Sequence, residues 1–302
     1  MAMLKKFSNF MELRTKITSV FAFLIALAYL FYRRQPVNRT LTLLFFTSMF
    51  LFDLTATAIN NYIDSKSNGQ TLPFRRGTAK TMIYLLFAVS SALGLTLAYL
   101  TDAAVLLFGG LCFLFGVLYS WGPVPLSRQP LGEIFSGLFY GLFIPFLLLY
   151  INLPRGTFFT LVFDFQTVHL DLNIFPVLSL FLLSVAPVCA TANIMLANNL
   201  CDLEKDIQVK RYTLPYYLGK RALLLFAGLY YIAYGSIVVM VLLRILPSVS
   251  LLTLLTVFPV RKNIRLFINK QDKEETFILS VKNYMILVGT DSLLICLGAF
   301  LR

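Results

Sequence analysis

Long apolar runs dominate this sequence and leave little chain for a soluble core. Nine stretches approach the roughly 20 apolar residues that a helix needs to cross a bilayer. They are residues 16–32, 40–60, 80–100, 103–120, 134–152, 174–196, 222–243, 246–260 and 279–300. The composition agrees, because 58% of the residues are hydrophobic and only 13% are charged. The sequence therefore predicts an all-α, multi-pass integral membrane protein with a bundle of nine transmembrane helices, folded as a single domain over residues 1–302.

Two of these stretches allow another interpretation. Residues 246–260 are short and contain Pro247 and Pro259, so this span is the weakest of the nine. The first stretch follows Lys5 and Lys6, which is also typical of a signal peptide. Because every later span belongs to one bundle, we expect residues 16–32 to be its first helix.

The positions of the basic residues predict the orientation of the bundle. With nine crossings, 20 of the 26 Lys and Arg residues fall on the side that holds the N-terminus. Basic loops stay in the cytoplasm, so we expect this side to be cytoplasmic and the bundle to lie in the cell (inner) membrane. The net charge of +12 is then spread over loops that face anionic lipid headgroups. A nucleic-acid partner is not expected.

Two clusters of polar residues stand at the predicted cytoplasmic ends of the second and sixth spans. Each has oxygen-bearing side chains at four-residue intervals, which places them on one face of a helix. The first row is Asn60, Asp64 and Asn68, and the second row is Asn198, Asp202 and Asp206. Asp53 extends the first row deeper into the membrane. The repetition suggests two four-helix halves around a central cavity.

The chemistry of the two rows predicts a metal site that binds an anion. Carboxylate and amide oxygens are the ligands that Mg²⁺ prefers, usually together with phosphate oxygens and water. The predicted metal ligands are Asp64, Asn68, Asp202 and Asp206. Basic side chains close by in the sequence are suited to the remaining phosphate oxygens: Lys66, Arg75, Arg76, Arg128, Lys210 and Arg211.

The same residues resemble known motifs. Asn-x-x-x-Asp at 60–64 and Asn-x-x-x-Asp-x-x-x-Asp at 198–206 resemble the signatures of the intramembrane aromatic prenyltransferases, the UbiA superfamily. Residues 119–126 (Tyr-Ser-Trp-Gly-Pro-Val-Pro-Leu), followed by Gly132-Glu133, resemble a loop of the 1,4-dihydroxy-2-naphthoate prenyltransferases of menaquinone synthesis. Thr213-Leu214 and Leu218-Gly219 match the end of their second motif. Asn61, Cys201 and Lys210 stand where those enzymes usually have Asp, Arg and Gly.

The resemblance implies a fold, a reaction and a set of site residues. It implies nine helices, Mg²⁺, a polyprenyl diphosphate bound at the cytoplasmic side, and an aromatic acceptor. The acceptor implied is 1,4-dihydroxy-2-naphthoate, prenylated with decarboxylation to give demethylmenaquinone. The implied residues are Asp64, Asp202 and Asp206 on Mg²⁺, assisted by Asn60 and Asn198, with Lys66, Arg75, Arg76, Arg128 and Arg211 on the diphosphate. Tyr119, or alternatively Tyr62, would stabilise the allylic cation through its π-face.

Two alternatives remain open from the sequence. The same chemistry also fits a different acceptor, namely 4-hydroxybenzoate, homogentisate or another quinone precursor. A secondary transporter with paired acidic sites belongs to a different class. That class places its acids near the middle of the membrane, whereas these two rows lie at one mouth of the bundle.

Overall fold

A computed structural model describes residues 2–13, 15–67, 71–123, 125–163 and 166–301, which are predominantly helical. The helices are α1 (Ala2–Met11), α2 (Ile17–Tyr32), α3 (Arg39–Ser67), α4 (Arg76–Leu100), α5 (Ala103–Ser120), α6 (Gly132–Asn152), α7 (Ile174–Cys201), α8 (Leu203–Gln208), α9 (Leu214–Leu218), α10 (Arg221–Leu242), α11 (Val257–Asn269) and α12 (Phe277–Phe300). Two short 3₁₀ helices cover Leu126–Arg128 and Ser248–Thr256, and π-helical turns interrupt α6 at Gly137–Phe143 and α12 at Met285–Gly289.

One hairpin departs from the predicted all-helical pattern. Strands β1 (Phe159–Phe163) and β2 (Val168–Leu172) pair antiparallel between α6 and α7, with Phe159 opposite Leu172. Alternating apolar and polar residues in β2 fit a short strand. Within the described residues this is the one sheet, and it leaves the bundle itself helical.

Seven helices of the described chain are long and apolar enough to cross a membrane, namely α3, α4, α5, α6, α7, α10 and α12. Helix α2 is apolar as well but has only 16 residues. The predicted span 246–260 takes a different form: the 3₁₀ helix Ser248–Thr256 leads into α11, which carries Arg261, Lys262 and Arg265. The count of nine crossings therefore stays a prediction.

The outer faces of α4 and α5 show what surrounds the bundle. Tyr84, Leu85 and Leu95 on α4 are each at least 60% exposed, and Leu107 and Leu114 on α5 are 59% and 52% exposed. Large apolar side chains exposed together along two neighbouring helices are stable only in an apolar medium. The chain is an integral membrane protein, as its composition predicts.

The apolar interior falls into two clusters. The larger one joins α2, α6, α7, α10 and α12, with Tyr230 and Tyr284 completely buried within it. In the smaller one, Phe10 and Met11 of α1 pack against Ala58 of α3 and Ala79 of α4. Helix α1 therefore covers the part of α3 that leads into the first row.

Helices α6 and α7 approach each other closely at a glycine. A Cβ atom on Gly141 would lie 2.3 Å from the backbone nitrogen of Val188, a distance that real Cβ atoms do not adopt. Gly141 lies in the π-helical part of α6, and Val188 follows Pro187 inside α7. Only glycine permits this contact between the two backbones.

A buried ion pair joins α3 to the start of α2. Lys16 Nζ lies 2.6 Å from Asp53 Oδ1, and both side chains are only 5% exposed. Ser19 Oγ donates to Asp53 Oδ2 at 2.7 Å, and the Tyr140 hydroxyl donates to Oδ1 at 2.7 Å. Asp53 has its oxygens satisfied by α2 and α6, so in this structure it is part of the packing between helices.

Candidate active site

The described part of the first row lies on one uninterrupted helix. Asn60 and Asp64 are half-buried on α3, which continues to Ser67. Asn60 Oδ1 accepts a hydrogen bond of 2.9 Å from Ser120 Oγ at the end of α5. Asn68, the predicted third member, lies outside the described residues, as does the side chain of Lys66.

The second row is split between two helices. Helix α7 ends at Cys201, Asp202 stands between the helices, and Asp206 lies on α8. Backbone hydrogen bonds from Asp202 N to Asn198 O (3.1 Å) and from Asp206 N to Asp202 O (2.8 Å) keep the four-residue spacing through the break. The break was not predicted, because the sequence pattern continues through it.

The structure brings the two rows within electrostatic range of each other. Asp64 on α3 is influenced by the charges of Asp202, Arg211 and Arg128. Asp206 in turn is influenced by Asp64 and Asp202. Asp64 and the acids of the second row, about 140 positions apart in the chain, therefore influence one another electrostatically.

Among the described acids outside the membrane-spanning helices, Asp206 has the largest shift in pKa. Its side chain is almost fully buried, and its Oδ2 has no hydrogen-bond partner in the described structure. Burial, with further contributions from the charges of Asp202 and Asp64, raises the pKa of Asp206 to about 6 against the lowering effect of Arg211. An unsatisfied carboxylate oxygen of this kind is suited to bind a cation.

Among the predicted basic residues, Arg211 has the clearest place in the site. Its Nε donates to the carbonyl oxygen of Ser127 at 2.7 Å, and its NH1 lies 3.7 Å from Asp206 Oδ1. Arg211 thus links the loop before α6 to the second row. Arg128 is exposed, although its charge reaches Asp64.

Arg75 and Arg76 are less closely connected to the rows. Both are exposed at the start of α4, and no described contact joins either of them to a row residue. Lys210 is also exposed, with a left-handed backbone conformation (φ 55°) in the turn after α8. Of the predicted basic residues, Arg211 alone has a described contact with an acid of the rows.

Lys273, which is not among the residues predicted from the sequence, contacts the second row directly. Its Nζ lies 2.6 Å from Asp202 Oδ2 and also bonds to Asn198 Oδ1. Lys273 follows Asp202 by 71 residues and belongs to the turn between α11 and α12. Its location in a basic loop on the same predicted side was the one available signal, and every other lysine of those loops shared it.

A second unpredicted contact ties α6 to α7 beside the second row. Asn199 Nδ2 donates to Glu133 Oε1 at 2.9 Å, and both side chains are buried.

Tyr119, at the end of α5, donates its hydroxyl to Met195 Sδ at 3.2 Å. The charges of Arg211, Glu133 and Asp64 all influence Tyr119, so its hydroxyl lies within electrostatic range of both Glu133 and the first row.

Asn61 has a role that its neighbours on α3 do not share. Its Nδ2 donates to the Phe10 carbonyl oxygen at 3.0 Å and to Glu12 Oε1 at 3.2 Å. An aspartate here has no hydrogen to donate, and its charge would oppose that of Glu12. The amide at position 61 therefore ties α1 and the following turn to α3.

The donor set fits a magnesium ion in its chemistry. Within the described residues, no three Asp, Glu, His or Cys side chains are close enough to hold a metal by themselves. Mg²⁺ does not need three, because it commonly binds one or two carboxylates together with phosphate oxygens and water. The carboxylates of the two rows and the unsatisfied Asp206 Oδ2 meet that requirement.

The family model described as the UbiA prenyltransferase family matches residues 19–284. The chain belongs to this family. The match covers both rows and most of the described helices, so the family predicted from the motifs is confirmed.

One curated protein with a named activity is similar to this chain. The 1,4-dihydroxy-2-naphthoate octaprenyltransferase of Bacillus subtilis (strain 168) is 26% identical to this UbiA-family chain over 226 residues. The match covers 70% of this chain and 66% of that enzyme, slightly under two thirds of its length.

Solved structures of UbiA homologues share the fold. The apo structure of a homologue from Aeropyrum pernix K1 has a TM-score of 0.66 at 18% identity, covering 90% of this chain and 96% of the other. A homologue from Archaeoglobus fulgidus, bound to DMAPP and Mg²⁺, has a TM-score of 0.61 at 14% identity, covering 98% of each chain. At these identities the likeness establishes the helical architecture.

Proposed function

We propose that this protein transfers a polyprenyl group from a polyprenyl diphosphate to an aromatic acceptor in a Mg²⁺-dependent reaction. The acceptor is 1,4-dihydroxy-2-naphthoate, which makes the protein an enzyme of menaquinone biosynthesis. The single observation that carries the proposal is Asp206, which is buried beside Arg211 with an Oδ2 that has no hydrogen-bond partner in the described structure. Family membership and the similar Bacillus subtilis enzyme support the type of reaction.

Asp64 from the first row and Asp202 and Asp206 from the second, assisted by Asn60 and Asn198, would hold Mg²⁺ ions together with phosphate oxygens and water, with no single ion bound by all three carboxylates. When bound, Mg²⁺ would neutralise the charge that develops on the departing diphosphate. Asn60 is already oriented by its hydrogen bond from Ser120. Arg211 is held by Ser127 and placed beside Asp206, where its guanidinium can donate to diphosphate oxygens. Lys66, Arg75, Arg76 and Arg128 remain proposed contacts for the same anion.

The prenyl group has to be protected from water after its bond to the diphosphate oxygen weakens. Tyr119 presents an aromatic ring at the end of α5, and the π-face of this ring would stabilise an allylic cation. One turn before Tyr119 on α5, Phe115 packs against Phe135 and Phe139 of α6, with ring centroids 5.2 and 5.5 Å away. These rings provide an apolar wall next to Tyr119.

The proposed transfer balances without an added oxidant. The carbon–oxygen bond to the diphosphate breaks, and the diphosphate leaves with the electron pair. The ring carbon that bears the carboxylate forms the new carbon–carbon bond. Loss of CO₂ then returns an electron pair to the ring and gives the hydroquinone form of demethylmenaquinone.

A second candidate keeps the reaction and changes the acceptor to 4-hydroxybenzoate, homogentisate or another quinone precursor. Cys201, directly before Asp202, stands where the naphthoate enzymes usually carry Arg, and this observation favours testing such acceptors. A carboxylate acceptor that loses CO₂ and one that keeps its carboxylate give different products. The acceptor therefore has to be determined by product analysis.

We also propose the topology of the chain. The seven long helices, α2 and the segment 248–269 together make nine crossings in one domain of two halves around the site. The N-terminus and both rows then face the cytoplasm of the inner membrane. Single-cysteine variants at Thr71 and Arg155 test this in intact cells: a membrane-impermeant thiol reagent should label position 155 and not position 71. The reverse labelling would contradict the orientation.

The function is tested with membranes that contain the protein, Mg²⁺ and radiolabelled prenyl diphosphates. Acceptors should be offered separately, including naphthoate labelled with ¹⁴C in its carboxyl group. We expect a prenylated lipid product and release of ¹⁴CO₂ from the naphthoate. Asp64→Ala and Asp202→Ala should each reduce transfer at least about 100-fold, because each removes a group that binds the metal–diphosphate.

Lys270→Met serves as the control, since Lys270 is an exposed residue that pairs with Glu275 outside the two rows. This variant should keep its activity. Each protein must also be recovered from the membrane in equal amount. Full activity of both alanine variants would contradict the site, and prenylation without ¹⁴CO₂ release would contradict the acceptor.

A further inference from the structure

The turn between α11 and α12 is held together by its own residues. Asp272 Oδ1 accepts hydrogen bonds from the backbone N–H groups of Glu274 and Glu275, both at 2.9 Å. Thr276 Oγ1 donates to the backbone carbonyl oxygen of Lys270 at 2.8 Å, a contact that does not involve the Lys270 side chain. The ion pair between the Lys270 and Glu275 side chains is exposed on both sides and therefore adds little to the stability of the turn. The turn presents Lys273 to the second row without help from another element.

The ammonium of Lys273 takes the position of a cation at the second row. It bonds to Asp202 Oδ2 at 2.6 Å and to Asn198 Oδ1, which are two of the oxygens proposed to face Mg²⁺. Its Nζ also lies 5.1 Å from the centroid of the Phe277 ring. A divalent ion and an ammonium cannot share the same two oxygens, because like charges at contact distance repel.

The ion pair between Lys273 and Asp202 can separate at little energetic cost. The Lys273 side chain is 40% exposed and that of Asp202 is 22% exposed, and ion pairs at such positions contribute little to stability. Lysine has a flexible stem and three N–H donors that suit phosphate oxygens. The ammonium can therefore leave Asp202 and bind an anion close by.

We propose that Lys273 is a further diphosphate-binding residue of this site. Its ammonium bonds to Asp202 and Asn198, so it would compete with a metal ion for the oxygens of the second row. With metal and diphosphate bound, the ammonium would move from Asp202 to an oxygen of that diphosphate. This inference rests on the proposed function. Loss of Lys273 should strengthen metal binding and weaken diphosphate binding.

The test uses the purified full-length chain in detergent, with Mn²⁺ in place of Mg²⁺ and inorganic pyrophosphate as the anion. Free Mn²⁺ is followed by electron paramagnetic resonance, and each variant is checked by thermal unfolding. The variants are Lys273→Met, Lys273→Gln and Lys273→Arg. Lys270→Met is the matched control, because it removes a charge from the same turn away from the row.

For Lys273→Met and Lys273→Gln we expect Mn²⁺ alone to bind several-fold more tightly than in the wild type. Pyrophosphate should bind to the Mn²⁺-loaded protein about tenfold more weakly, which corresponds to one charge-assisted hydrogen bond. Lys273→Arg should restore most of the pyrophosphate affinity, because it keeps the positive charge and its donors. Lys270→Met should change neither affinity.

The outcomes separate this inference from the proposed function. If the wild type binds Mn²⁺ and pyrophosphate and the Lys273 variants match it, the role of Lys273 is overturned and the metal site stands. Weakening of both affinities together would also overturn it, since it indicates a purely structural contact. If the wild type binds neither Mn²⁺ nor pyrophosphate, the proposed function itself fails.

Discussion

Two lysine–aspartate pairs of the same length lie in different parts of this molecule. Lys16 and Asp53 are 2.6 Å apart, as are Lys273 and Asp202. The first pair is 5% exposed on both sides, and Ser19 and Tyr140 complete its hydrogen bonds. The second pair is open to the surroundings, with 40% of Lys273 and 22% of Asp202 exposed.

The difference shows that burial decides what such a pair does. A buried pair cannot be separated without leaving an uncompensated charge in an apolar medium, so Lys16 and Asp53 hold α2, α3 and α6 together. An exposed pair separates at little cost, so Asp202 remains available to another cation. Asp53 extends the first row in sequence and nevertheless belongs to the packing.

The largest effect on stability is expected from removal of the buried lysine. Lys16→Met should lower the free energy of unfolding by about 3–5 kcal/mol, because Asp53 is left charged and buried. Thermal or denaturant unfolding in detergent measures this. The double variant Lys16→Met/Asp53→Leu should recover part of the loss. Equal stability of the single variant and the wild type would show that Asp53 is not held by Lys16.

Arg211 tests the cationic environment of the second row. Arg211→Met should reduce prenyl transfer by about 10–100-fold, because it removes a charge-assisted contact to the diphosphate. Arg211→Lys should lie between this variant and the wild type, since a lysine cannot reproduce the planar guanidinium. Both variants are compared with the wild type by the rate of product formation at saturating and at limiting prenyl diphosphate. Unchanged kinetics in Arg211→Met would assign Arg211 to the Ser127 loop alone.

The smallest expected effect belongs to the exposed pair. Lys273→Met should change the free energy of unfolding by less than about 1 kcal/mol, since the pair is partly solvated and its loss leaves no buried charge. The same unfolding measurement as for Lys16→Met applies, under identical detergent and salt. A loss as large as that of Lys16→Met would remove the distinction between the two pairs.

Much of the architecture was predictable because the bilayer imposes it. Helices α5, α6 and α10 begin and end within two residues of their predicted spans, since apolar length alone sets such boundaries. The segment 246–260 was harder to predict. Its chain continues as α11 to Asn269 through Arg261 and Arg265, which a search for continuous apolar residues rejects.

The site was predictable only where its residues are spaced regularly along the chain. The four-residue spacing of Asn60 with Asp64, and of Asn198 with Asp202, is visible in the sequence. Lys273 was missed because its contact joins residues 71 positions apart, and nothing in its own turn indicates which acid it meets. Glu133 and Asn199 were missed as partners for the same reason, with 66 positions between them.

The close approach at Gly141 has a consequence for how the molecule can move. With the two backbones in contact at Val188 and Glu133 bonded to Asn199, α6 and α7 are joined at two levels and shift as one body. The second row begins on that body, whereas the first row lies on α3. The contacts of Asp53 hold the middle of α3 to α2 and α6. We therefore expect any opening between the rows, and any ligand-induced change in hydrogen exchange, to concentrate in the part of α3 beyond Asp53.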